Sequence, residues 1–405
     1  MSDDALAAAP ATGTATPPTS HAAGQLPRYR ETPRQRGRLV LQVLVAVLGV
    51  AGAVGVVLLF AFSAGDAYGA GLSVLYAVIP LPLLWFVYWW LDRYEPEPRR
   101  YKVAAFVWGA VGAVAIALVL EGAAASLLGL GDKTMASVVA PLVEEPAKGL
   151  FLLLTFLRWR RVLDGFLDGV ILAGIVGVGF AFSENIGYYA ASYLGSPDLK
   201  VAGAEGATGT FIVRGIFSPF AHPLFTTAFG IGLGLAVATR SWWLKVLYAT
   251  VGLLASVALH ALWNGSLSFG GGVGFVLAYL VLAMLFVGLA VTAVVVRVRQ
   301  VRVLESSLSY VAQRGWIHPA EIPYLARFGY RRAARRFARR HGRTTRRAVT
   351  RYQRLATEMA FLHHAVMSGR SMPHGVERTY ALLDAMADVR PFVRLPPAMA
   401  PTHRR

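Results

Sequence analysis

Eight apolar stretches, each about 20 residues long or longer, leave this chain little choice of fold. A hydrocarbon layer about 30 Å thick takes about 20 helical residues at a rise of about 1.5 Å each, and backbone groups inside lipid must bond internally. Each stretch therefore predicts a transmembrane helix. They run approximately Leu39 to Phe62, Gly69 to Leu91, Val103 to Leu120, Thr134 to Leu157, Phe166 to Ala191, Phe211 to Thr239, Trp242 to Ser266 and Gly272 to Val296. Of the 405 residues 56% are hydrophobic and only 15% charged, and the mean hydropathy is +0.51, which places the chain with polytopic membrane proteins. The predicted fold is an all-α membrane helix bundle of about eight transmembrane helices with a small basic helical cytoplasmic C-terminal region.

Three segments follow from this pattern. Residues 1–38, rich in Ala, Thr, Pro and Ser with a basic end at Arg28 to Arg38, lack the apolar core of a signal peptide and read as a disordered cytoplasmic tail. Residues 39–296 form the transmembrane domain. Residues 297–405 hold 22 Arg, no Lys and six acidic residues, and account for most of the net charge of +18. Short cytoplasmic loops are enriched in Lys and Arg, and basic clusters precede span one and follow spans two, four, six and eight. That alternation predicts a multi-pass protein of the cell membrane with both termini cytoplasmic; Lys133, Lys200 and Arg214 are exceptions to it.

Glu144 and Glu145 stand near the middle of the fourth apolar stretch. A carboxylate at the bilayer centre costs at least about 2.5 kcal/mol, so two of them must face a polar interior. Three later spans carry further polar groups: Glu184 with Asn185, His222, and His260 with Asn264. Counted along each helix, these groups fall about 9 to 17 Å below the predicted outer edge, which points to a single site. Glu144 and Glu145 lie four and three residues before Lys148, so the lysine can partly neutralise them. Gly174, Gly177 and Gly179 on the fifth span would permit close helix approach.

Two carboxylates, two histidines and an asparagine away from lipid suit peptide hydrolysis: a carboxylate takes a proton from water, a histidine holds that water, and an amide donates to the oxyanion. Equally, two His with one or two Glu make a set of ligands for Zn²⁺ with an open position for water. The sequence contains no HExxH, which excludes the zincin arrangement on one helix, and no cysteine, which excludes disulfides and thiolate metal sites.

The runs Glu144-Glu145-Pro146-Ala147-Lys148, Phe180-Ala-Phe-Ser-Glu184-Asn185, His222-Pro223-Leu224-Phe225-Thr226 and His260-Ala-Leu-Trp-Asn264 resemble the PrsW family of intramembrane proteases. So does the juxtamembrane stretch Asp92 to Pro98, and the resemblance covers roughly Asp92 to Gly265. The family is similar to the wider group containing the type II CAAX prenyl endopeptidases, with EExxxR-like and HxxxN-like motifs. The resemblance implies cleavage of a membrane-anchored protein, an anti-sigma factor in the founding activity. It implies Glu144 as the water-activating base assisted by Glu145, His222 and His260 as water or metal ligands, Glu184 as a further candidate ligand, and Asn264 as oxyanion donor or partner of a ligand. Glu184 stands where the CAAX enzymes show an FxxxH-like pattern, so their mechanism does not carry over intact. The group is often classed as metallopeptidases, which makes Zn²⁺ the candidate cofactor.

Competing readings use the same residues. Buried Glu, His and Lys also build proton- or ion-coupled transporters, in which Pro146, Pro219 and Pro223 would break helices, but the chain shows no internal repeat. A catalytically inactive membrane scaffold is the third. In the C-terminal segment, apolar periodicity predicts helices near Tyr324 to Phe337, Ala348 to Val366 and Val376 to Met386. Arg331-Arg332, Arg335-Arg336 and Arg339-Arg340 recur every four residues and predict a charged strip suited to an anionic lipid surface. Arginine alone supplies no base readout, which argues against nucleic acid as a partner.

Overall fold

The computed structural model describes residues 51–397 apart from 53, 56–57, 60–61, 95–96, 159–161, 164, 196–200 and 370–373. The predicted N-terminal tail and most of the first span lie outside the described residues. The described residues up to Gln300 form one compact unit and those from Val301 a second.

The described part of the first unit is all helical. Its helices are α1 (Ala67–Leu91), α2 (Arg99–Leu128), α3 (Ala140–Arg158), α4 (Phe166–Leu194), α5 (Gly203–Phe211), α6 (Ala221–Ala238), α7 (Trp242–Phe269) and the part up to Gln300 of α8 (Gly271–Gln313). Six segments among the described residues are long and apolar enough to cross a membrane: α1, α2, α4, Gly203–Ala238, α7 and α8. The fourth predicted span is absent from that set because α3 carries Glu144, Glu145 and Lys148, although with the turns from Asp132 it is continuously helical for about 40 Å. Side chains such as Val119, Leu254, Phe286 and Val287 stand exposed on these helices, as lipid-facing residues do.

The central helix is α4, buried along most of its length. Its glycines let other backbones come close. A Cβ at Gly177 would lie 2.7 Å from the carbonyl oxygen of His222, and one at Gly179 would lie 2.1 Å from that of Phe106. A Cβ at Gly174 would meet the Tyr88 hydroxyl. All three glycines singled out by sequence thus sit at close contacts with neighbouring helices.

Two predicted boundaries change. The sixth span, expected as one helix from Phe211 to Thr239, begins at Gly203 and breaks at Ser218–Phe220, where Pro219 offers no backbone donor and Ser218 closes the preceding turn onto the Val213 carbonyl. The eighth does not end at Val296. Helix α8 runs on to Gln313, which at about 1.5 Å per residue makes it about 65 Å long, twice the hydrocarbon thickness. Pro146, by contrast, lies within the continuous helix α3.

The second unit contains α9 (Ile322–Ala326), α10 (Phe328–Arg340), α11 (Arg343–Met367) and α12 (Gly375–Val389), matching the three predicted helical stretches. The arginine strip of α10 is divided. Arg331 is buried and donates to the Leu325 carbonyl at 2.8 Å and to Thr357 Oγ1 at 2.7 Å, and Arg335 donates to Gln353 Oε1 at 2.6 Å. Arg332, Arg336, Arg339 and Arg340 stay exposed. The same four-residue spacing therefore serves two faces, one packed on α11 and one open.

Candidate active site

Four helices of the first unit bring the sequence-predicted residues together. Glu144 and Glu145 come from α3, Glu184 from α4, His222 from the first turn of α6, and His260 and Asn264 from α7. One ligand atom from each of Glu144, Glu145, His222 and His260 can be chosen so that all lie within 4.8 Å of one another, and all four residues are buried.

Lys148 holds the centre. Its ammonium donates to Glu144 Oε2 at 2.9 Å and Glu145 Oε1 at 2.7 Å, and lies 3.2 Å from His222 Nδ1 and 3.7 Å from the centroid of the Phe180 ring. An ammonium cannot accept, so His222 Nδ1 is the acceptor and its Nε2 carries the proton, donated to Glu184 Oε2 at 2.6 Å.

The two adjacent glutamates differ sharply. Glu145 is enclosed: Oε1 also faces His260 Nδ1 at 3.0 Å, while Oε2 accepts from Thr226 Oγ1 at 3.1 Å and Ser256 Oγ at 2.6 Å. Among the described residues Glu144 holds Lys148 alone at hydrogen-bond distance, and it lies on the wall of a cavity of about 630 Å³ that Glu184, Tyr188 and Asn264 also line. One glutamate is built in; its neighbour faces open space.

His260 bridges Glu145 and Asn264, whose Nδ2 lies 3.2 Å from His260 Nε2 and donates to the Ala136 carbonyl at 2.9 Å. With both amide hydrogens so directed, Asn264 orients His260. Glu184, expected among the metal ligands, stands behind His222 outside the four-residue group, where Arg214 Nη2 also binds its Oε2 at 2.5 Å.

Arg214 is the residue that sequence reasoning passed over. It was only an exception to the charge alternation, yet it clamps Glu184 and donates through Nε to Asn185 Oδ1 at 2.7 Å. An arginine at membrane depth requires such partners, which was the available signal. Thr226 and Ser256 carry no comparable signal, since a hydroxyl in an apolar helix is common.

Three π-helical turns lie beside this centre, at Trp108–Ala113, Met135–Val139 and Ile212–Phe217. Each delivers a group to it or to its supports. The Ala110 carbonyl takes the Ser183 hydroxyl, the Ala136 carbonyl takes Asn264, and Arg214 itself lies in the third. An inserted residue re-aims a helix face locally, which is why such turns gather at functional sites.

Two carboxylates and two imidazoles form a donor set that suits Zn²⁺ chemically. Three of those donors already surround the Lys148 ammonium, so a metal and the ammonium compete for the same groups.

A polar cluster buried among apolar helices, with Glu144 on the wall of a cavity, fits a membrane-embedded hydrolase. Residues 97–291, a segment that holds every residue of the cluster, match the family described as PrsW family intramembrane metalloprotease. The chain is a multi-pass membrane peptidase. No curated protein and no solved structure matches it.

Proposed function

We propose that the protein hydrolyses a peptide bond of a membrane-anchored protein in the cavity at Glu144, with Glu144 as general base. The observation that carries this is the asymmetry of the glutamate pair: Glu145 is saturated by four donors, whereas Glu144 opens on the cavity. Water beside Glu144 loses its proton to the carboxylate as its oxygen attacks the scissile carbonyl. The same carboxyl group then returns the proton to the leaving amine. Lys148 fixes the orientation of Glu144 and balances the charge of the pair, and Glu184 with Arg214 holds the His222 ring. A metal ion, which the family description implies, would be held by Glu145, His222 and His260 in competition with Lys148 and would polarise the scissile carbonyl as a Lewis acid.

The substrate class is a protein with a membrane-spanning segment, an anti-sigma factor being the case the family resemblance suggests. In the second unit we assign the exposed Arg332, Arg336, Arg339 and Arg340 to anionic lipid headgroups, on the cytoplasmic side that the arginine distribution favours. Equal binding to vesicles with and without anionic lipid would refute that assignment.

Co-expression of epitope-tagged single-span proteins with wild type or with the Glu144→Gln/Glu145→Gln double variant tests the central reading. A product that appears only with wild type, both proteins being stably inserted, is the expected result. The same product with the double variant would overturn it.

A further inference from the structure

The proposed chemistry leaves two carboxylates of the cavity without a role. Glu121 on α2 and Asp132, the first residue of the helical turns that lead into α3, line the same space as Glu144 and Glu184, and none of the lining residues is Lys, Arg or His. Glu144 and Glu184 already have their cations in Lys148 and Arg214. Glu121 does not: its Oε1 is shielded from solvent and has no hydrogen-bond partner among the described residues. A carboxylate oxygen withdrawn from water without a donor is costly, and a group kept in that state calls for an occupant that supplies the donor.

The groove has a measurable direction. Val114, Ala117, Leu118 and Glu121 share one face of α2 at helical spacing and all line the cavity. Val114 packs with Ala147 and Phe180 beside the catalytic cluster, and so marks the level of the cleavage chemistry. Glu121 lies seven residues further along, about 10 Å at helical rise. An extended substrate chain advances about 3.3 Å per residue, so about three residues separate the scissile bond from the level of Glu121.

We propose that Glu121 is a specificity residue of this protease, receiving the ammonium or guanidinium of a lysine or arginine about three residues from the scissile bond. The inference rests on the cavity at Glu144 being the substrate site. Asp132 adds to the negative field of the groove without itself being buried. The apolar lining at Leu118, Met135 and Ala140 takes the rest of the segment, so the favoured substrate is an apolar chain interrupted by one base.

Two measurements on the full-length protein in detergent test this. In the first, the non-cleaving Glu144→Gln variant captures photo-crosslinkable transmembrane peptides that differ only in carrying Lys, Gln or Glu at successive positions. One position is expected at which Lys raises capture about tenfold over Gln and Glu lowers it, the size of a desolvated ion pair worth about 1.4 kcal/mol. Glu121→Gln in that background should bring Lys and Gln to parity, and Glu121→Lys should favour Glu. No position with a preference for a base overturns the proposal, as does a preference that survives Glu121→Gln. The peptide scan needs no change at Glu121, so it remains decisive even where a Glu121 variant fails to insert. In the second, wild type cleaves the same series. Cleavage without a preference for a base sinks the role of Glu121 and leaves the protease reading standing; selective capture without cleavage does the reverse.

Discussion

Replacing Glu144 and Glu145 one at a time by glutamine should separate chemistry from architecture. The Glu145 carboxylate takes Lys148 and His260 on one oxygen and Thr226 and Ser256 on the other. An amide keeps only one accepting oxygen, so Glu145→Gln turns an NH₂ group towards one of those donor pairs. Hydrogen bonds to a charged acceptor contribute about 1.5 to 3 kcal/mol each, and breaking a buried ion pair costs about 3 to 5 kcal/mol. The hydroxyls of Thr226 and Ser256 can turn to accept, which favours the lower figure, about 3 kcal/mol. Among the described residues Glu144 has only the Lys148 bond at 2.9 Å, and a glutamine oxygen can still accept it, so Glu144→Gln should cost about 1 kcal/mol or less in stability. It removes the base, however, and loss of general base catalysis slows a reaction about 10² to 10⁴-fold, about 2.7 to 5.5 kcal/mol in the barrier. The assay pairs cleavage of a tagged single-span substrate with thermal unfolding in detergent. The expected pattern is a stable, inactive Glu144→Gln beside a destabilised Glu145→Gln. Cleavage by Glu144→Gln within about threefold of wild type would refute the assignment of the base, since the expected loss is about 10²-fold or more. Equal destabilisation of the two variants would refute the division of roles.

Lys148→Leu should raise Zn²⁺ affinity at least about tenfold, because it removes the cation that shares the donors; it should also lower the unfolding midpoint in chelator, where the carboxylates lose their counter-charge. Unchanged affinity in competition with a chromophoric chelator would show that the metal does not use this donor set. In the second unit, His363 is buried against Tyr310 with neither ring nitrogen hydrogen-bonded among the described residues, and burial, helped by the charges of Arg314 and His364, lowers its pKa below the ordinary 6.5. Its contribution to stability is therefore present above about pH 6.5 and lost as pH falls towards the folded value. The midpoint should drop more between pH 7.5 and 5.5 for wild type than for His363→Phe, and equal drops would exclude it. Gly177→Val should abolish cleavage and destabilise the fold, since its Cβ would stand 2.7 Å from the His222 carbonyl oxygen, whereas Gly122→Ala, with nothing within 4 Å, should do neither. An active, stable Gly177→Val protein would contradict that packing.

Local pattern made several features of this protein legible in the sequence. Apolar length alone dictates helices wherever lipid surrounds the backbone, and a carboxylate, histidine or asparagine inside such a helix needs a polar neighbour. For that reason Glu144, Glu145, Glu184, His222, His260 and Asn264 can be gathered into one expected site from sequence, and Lys148 can be paired with both glutamates from spacing alone. Tertiary structure decided the rest, because the deciding contacts join helices far apart in the chain. Glu145 became the enclosed member of the pair because Thr226, Ser256 and His260 converge on it from α6 and α7. Glu184 falls outside the four-residue group and pairs with Arg214, which comes from the π turn after α5. The π turns shift a helix face by one residue, which no periodicity announces, and Arg331 differs from Arg332 only in which side of α10 meets α11. Sequence sets which groups must find partners; only the packing of one helix on another sets which partners they find.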